Sequence, residues 1–434
     1  VTDRGSHWTN TFLTVGRSGA GSFTVRNGAI VDTTGAAYIG TSTGAGTVTV
    51  SGAGSEWNLA VLEVGAGATS ATSLSVQGGS VVNSGVTSLG FSSAATAAFG
   101  ETSRFFTSTL CVGCAGSATL NMNSGAIGTS TAGLTIGLSR GVTGTMTVTG
   151  SGTSWINSSG AVLIGQQGTG TLNVENGALF STSGDLVLAN SGTGTLALSG
   201  GGELKDVNAT IGAVSGSNGV ATVSGAGSQW TSSGSLEIGV SGSGELTVQD
   251  HGTVKASDIT IGKHGMVDAK GGTLHGKVVN HGTLDPLGAI NLIGNYTQAS
   301  DGTLLLDVAG TSTDLQGTLD VSGSSLFQGN VAIDFIDGFA PKKGDKFELI
   351  MSSGGADFKD ANFVIEGLEA GFKWTDTVVN GDFTLTALNN GVSTSGTPEP
   401  GTLALTASAV LAALTAAVFR RRLYSNPFRK EAVD

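Results

Sequence analysis

A two-residue marker, a branched or aliphatic residue followed by glycine, returns along this chain at nearly fixed intervals. It stands at Val15-Gly16, Ile39-Gly40, Val64-Gly65, Leu89-Gly90, Val112-Gly113, Ile136-Gly137, Ile164-Gly165, Ile211-Gly212, Ile238-Gly239 and Ile261-Gly262, with Leu188-Ala189 in the remaining place. From Val15 to Ile261 there are ten intervals over 246 residues, about 24.6 each. A second marker, the alternating Gly-Thr-Val-Thr-Val that ends at Val50, recurs with the same step, ending at Val25, Val76, Met122, Val148, Val174, Leu198, Val223 and Val248. Each unit alternates apolar and polar residues and then reaches Gly-Ser or Asn-Gly, the pattern of a short strand and a turn. A unit this short cannot bury its own apolar positions, so neighbouring units must stack to make a continuous core. The expected fold is all-β: a parallel β-helix, or β-solenoid, with rungs of about 25 residues. Right-handed coiling is expected because parallel crossovers overwhelmingly take that hand.

Composition agrees with the repeat and excludes other classes. Glycine is 72 of 434 residues, yet there are only five prolines and no Gly-X-Y period, which excludes collagen. Apolar residues at 39% against 12% charged argue for a folded chain. The first 285 residues contain no proline, as expected where nearly every backbone N–H joins a ladder. The formal net charge of −12 argues against nucleic acid as a partner. Charge is uneven, with seven acids and five bases in residues 1–200 but 22 acids and ten bases in residues 201–397.

The residues that could carry chemistry each have a plainer reading. Trp8, Trp57, Trp155 and Trp230 each follow a related stretch such as Val-Ser-Gly-Ala-Gly-Ser-Glu-Trp and should fall on one side of the molecule. They could form a glycan-contact ladder or a repeated core plug, and packing is the favoured reading. Cys111-Val-Gly-Cys114 reads as a local disulfide or two small buried thiols rather than a redox pair or half a zinc site. His251, His264, His275 and His281 are spaced by 13, 11 and 6, out of step with the rung, and read as solvated turns rather than metal ligands. Polysaccharide cleavage needs two converging carboxyls. Glu63 and Glu237 are seven rungs apart, and Asp314, Asp320, Asp334 and Asp337 alternate with turn residues. No catalytic, cofactor or metal site is therefore assigned, and no enzyme activity is expected.

Beyond Ile261 the rungs shorten, and the domain reading is a solenoid over 1–310 followed by a β-rich capping region over 311–390. Val1 begins in the phase of Val50, Val148 and Val223, so further sequence is expected before it. A linker over 391–401 carries Pro398, Glu399 and Pro400, and residues 402–434 hold an uncharged stretch, a basic cluster and a tail. Residues 402–419, as one helix, are long enough to span a bilayer, and Arg420, Arg421 and Arg422 would hold the far end in the cytoplasm.

Pro-Glu-Pro, an apolar helix and a basic cluster in that order resemble the PEP-CTERM family of bacterial sorting signals. The resemblance implies that Pro398, Glu399 and Pro400 are read by an exosortase-type membrane processing enzyme. The repeats of residues 1–310 also look like the β-helical passenger regions of autotransporter adhesins. The combined expectation is a non-enzymatic, exported structural or adhesin-like solenoid of the bacterial surface or matrix. It would be held in the inner membrane before processing and would have an extracellular polysaccharide or cell-surface glycan as partner. The alternative is a polysaccharide-degrading β-helix enzyme.

Overall fold

The computed structural model describes residues 1–67, 71–286 and 288–394. Pro398, Glu399, Pro400, the apolar stretch 402–419 and Arg420, Arg421 and Arg422 lie outside the described residues. Among the described residues the only helical element is the 3₁₀ turn Thr313–Leu315, and no helix is long and apolar enough to cross a membrane.

Each rung makes three short strands, and each strand pairs in parallel with its counterpart one rung on. One face, face A, is a 15-stranded sheet that starts with Gly21–Arg26, Gly46–Ser51 and Thr72–Gln77 and ends with Asn362–Glu366. The chain then turns into face B, represented by Ser154–Asn157, and face C, represented by Val162–Ile164, before it returns to face A. In early rungs faces B and C are one bent strand, as in Ile30–Thr41, with a register break between Thr33 and Ala36. At the usual spacing of about 4.8 Å, fourteen steps along face A make a column roughly 67 Å tall.

Strand alternation sends one set of side chains inward on all three faces. The core stacks Val148, Val174 and Leu198 from face A over Phe180, Leu204 and Trp230 from face B and Ile164, Leu188 and Ile211 from face C, all buried. This is the continuous core that the short repeat required.

The Val-Gly marker is the corner from face C back to face A. At Gly165 the backbone takes φ +75°, and an added Cβ would run into the carbonyl of Thr193 in the next rung. Both the angle and the close approach therefore select glycine. Ala189 occupies the equivalent corner at φ +62°, paying the steric cost that its neighbours avoid.

The corner rule ends at Gly239. Gly262 is not left-handed, and Val248 pairs with Ala269 and Ala269 with Pro286, separations of 21 and 17 residues. In these shorter rungs amides line the corner. Asn280, fully buried, accepts from the Gly282 N–H at 3.0 Å and donates to the Tyr296 hydroxyl at 3.1 Å and the Thr303 carbonyl at 2.9 Å. Gln298 donates to the Asn330 carbonyl at 2.8 Å.

Parallel pairing passes residue 310 without a break. Leu306 pairs with Ile333 and Ile333 with Ile365. The change comes later, where Lys346–Ser352 pairs antiparallel with Asp382–Ala387, which pairs antiparallel with Trp374–Val379. Parallel pairing on face A thus runs to Asn362–Glu366, within the region 311–390 read as the cap.

Candidate functional site

The outward side of face A carries the most regular chemistry on the molecule. Ser22, Thr47, Ser73, Thr96, Thr119, Thr145, Thr171 and Thr195 are directly in register, one per rung, over eight successive rungs. The order follows from the sequence: the Gly-Thr-Val-Thr-Val unit alternates, so its valines turn inward and its threonines turn out. Seven steps make a hydroxyl column roughly 34 Å long. Val220 and then Glu245 end it. A second column beside it is mixed, with Thr24, Thr49, Ser75, Ala98, Asn121, Thr147 and Asn173.

Few of these hydroxyls are used inside the protein. Ser73 donates to Thr47 at 3.5 Å and Thr96 to the Thr72 carbonyl at 3.4 Å, both at the long limit of a hydrogen bond. Among the described residues, the side chains of Thr119, Thr145, Thr171 and Thr195 have no hydrogen bond within the chain. In the face A strands from Gly21–Arg26 to Thr193–Ser199, only Arg26 and Glu175 are charged. A shallow open depression on the same face is lined by Thr96, Thr119 and Thr145 of the column together with Ala94, Ala95 and Ala118.

The tryptophans share one inward position of face B, in line with Val31, Phe105, Phe180 and Leu204. Trp57, Trp155 and Trp230 are 0% exposed and cannot stack on a sugar, so a four-membered glycan ladder is ruled out; Trp8, in the first rung, is 39% exposed. Packing explains their preceding motif. Ser55, Thr153 and Ser228, two residues before each tryptophan, accept the N–H groups of Gly28, Gly125 and Gly201 one rung below, at 3.0–3.1 Å. Trp155 lies over Gly128, where an added Cβ would meet its ring, and this gap brings Trp155 to 5.9 Å from Phe105.

Beside the tryptophans runs an inward column with no signal in the repeat markers, polar at Thr33, interrupted by Leu59, and polar again at Ser84, Thr107, Ser130, Asn157, Thr182, Asp206 and Ser232, all buried. Indole N–H groups reach down to it, Trp57 to Thr33 at 3.2 Å and Trp230 to the Asp206 carboxyl at 2.6 Å. Ser130, below Trp155, donates instead to Asn157 at 2.7 Å, and the Trp155 N–H has no acceptor among the described residues. Burial pushes Asp206 up to about 6 against the opposing pull of the Trp230 indole. The Ser232 hydroxyl, one rung on, pulls the same way but is too poorly placed to count as a hydrogen bond.

The remaining sequence candidates do not converge. His251 sits in a turn at φ +68°, His264 in the turn before Gly265, His275 on the outside of face B, and His281 beside Asp301 at 2.8 Å. Cys111 and Cys114 are joined in a disulfide across one corner. Glu63 and Glu237 share an outward column of face C but stand seven rungs apart; burial raises the Glu63 carboxyl. Asp314 lies in the 3₁₀ turn, Asp320 on face B, Asp334 on face A and Asp337 in a left-handed turn. Asp307, Asp334 and Glu366 stack in register, and burial followed by the charge of Asp334 raises the Glu366 carboxyl. Among the described residues no group of three or more His, Cys, Asp or Glu side chains is placed to hold a metal ion.

No protein-family model and no curated protein matches the chain. Among solved structures it is similar to a TibC-catalysed, hyper-glycosylated TibA fragment, at 15% identity and a TM-score of 0.24, covering 83% of this chain and 100% of that one. Overlap of that quality carries no functional argument. The pairing register itself defines the class: a parallel β-solenoid with a neutral, hydroxyl-bearing face.

Proposed function

We propose that this chain is a non-enzymatic, adhesin-like solenoid, exported to the surface or extracellular matrix of a bacterium, where it acts as a stiff shaft. The observation that carries the reading is the eight-rung hydroxyl column on an unbroken parallel ladder. A stacked backbone gives length and rigidity, and a face of regularly spaced hydroxyls gives many weak, equal contacts in place of one reactive centre. Glu63 and Glu237 stand seven rungs apart, and Asp314, Asp320, Asp334 and Asp337 fall on separate elements, which does not favour glycan cleavage by these carboxyls.

The right-handed coil, the single membrane helix over 402–419 and the sorting role of Pro398, Glu399 and Pro400 belong to this proposal. In it an exosortase-type enzyme reads the Pro-Glu-Pro segment while Arg420, Arg421 and Arg422 hold the tail in the cytoplasm. Cell fractionation with intact-mass measurement tests the reading. The expected product is a surface or secreted body that has lost the mass of the tail. Recovery of the chain in the cytoplasm at full mass would overturn it.

A further inference from the structure

We infer that the outward side of face A is a docking track for a neutral, β-linked polysaccharide laid along the solenoid axis. The inference deepens the proposed function, since it names the partner of the same face.

Three observations converge on it. First, the hydroxyl column from Ser22 to Thr195 is unbroken over eight rungs. Its step of about 4.8 Å is close to the advance of one sugar unit in an extended β-linked glycan. A chain lying along the column thus meets about one protein hydroxyl per sugar, and the contacts stay in phase over about three units before the small difference in step accumulates. Second, only Arg26 and Glu175 carry charge on the strands of this stretch. A face without charge neither attracts nor repels a neutral polymer, but it offers a uronate or sulfate no counter-ion. Third, the depression flanked by Thr96, Thr119 and Thr145 runs along the edge of this column, and its alanine floor gives the apolar face of a sugar a shallow seat beside the hydroxyls. Because the column hydroxyls are largely unused by the protein, they are free to donate and accept.

The test is affinity electrophoresis of the full chain in detergent, through gels containing hydroxyethyl cellulose as the neutral probe and polygalacturonate as the anionic one. The chain is retarded by the neutral glucan, with little dependence on salt, and passes the anionic polymer freely. The triple variant Thr96→Val, Thr119→Val and Thr145→Val keeps β-branched side chains but removes three hydroxyls, and affinity falls about tenfold or more, the equivalent of roughly one to three net hydrogen bonds. Thr195→Glu, at the end of the column, weakens binding without touching the depression. Thr129→Val with Ser181→Ala, outward on face B, leaves binding unchanged.

Absence of retardation by the neutral glucan, preference for polygalacturonate, or equal loss in the face B control overturns the inference. So does an intact mass showing that the column hydroxyls already carry covalent sugar. The export reading fails separately: glucan binding by a chain found in the cytoplasm would keep the track and discard the location.

Discussion

Replacing Asp206 by asparagine tests the buried polar column directly. The Asp206 carboxyl is 4% exposed, takes the Trp230 indole hydrogen bond at 2.6 Å, and is pushed up from 3.8 to about 6, chiefly by loss of water around its charge. A raised carboxyl means that the native state holds the proton more tightly than the unfolded chain. The stabilising effect is fully present below about pH 4 and is lost as pH rises through about 6, after which it stays lost. A shift of about two pH units corresponds to about 3 kcal/mol at neutral pH. Asparagine accepts the same indole hydrogen bond without a charge to desolvate. Asp206→Asn is therefore more stable than the native chain at pH 7 by about 1–3 kcal/mol, and the difference shrinks towards pH 4. Denaturant unfolding of both proteins at pH 4, 5, 6 and 7 measures it. Because stacked rungs can open locally, hydrogen exchange at the amides of Leu204 and Trp230 supplies the local readout. The raised carboxyls of Glu63 and Glu366 are present in both proteins and cancel in the difference. A difference that is constant from pH 4 to 7, or that runs the other way, would refute the argument.

Two further outcomes follow from the corners and the core. Ala189→Gly relieves a left-handed alanine and stabilises the chain by up to about 1 kcal/mol, whereas Gly165→Ala, which drives a Cβ into the Thr193 carbonyl, destabilises by about 2 kcal/mol; thermal unfolding reports both. Gly128→Val collides with the Trp155 ring and costs about 2–3 kcal/mol, and most of that loss returns in the double variant Gly128→Val with Trp155→Val, as a double-mutant cycle would measure.

The sequence by itself determined the architecture, because a unit too short to fold alone leaves stacking as its only way to bury apolar surface. It also determined which residues stack. Thr145 and Thr171 occupy the same place in successive units, so any parallel ladder must bring them into register. The packing of Trp57, Trp155 and Trp230 was readable too, since each stands a fixed distance after a glycine turn.

Tertiary structure decided what depends on neighbours in other rungs. The polar column of Asn157, Asp206 and Ser232 carries no marker, because its sense depends on the indole one rung above. Past Gly239, Asn280 and Gln298 take over the corner with side-chain hydrogen bonds that no period of 25 foretells. Where pairing turns from parallel to antiparallel also could not be read from the sequence. Alternating strands read alike whether they pair parallel or antiparallel, and only the partner of Lys346–Ser352 settles the direction. Periodicity constrains what repeats, while a local hydrogen-bond partner can be known only once the chain has coiled and brought it there.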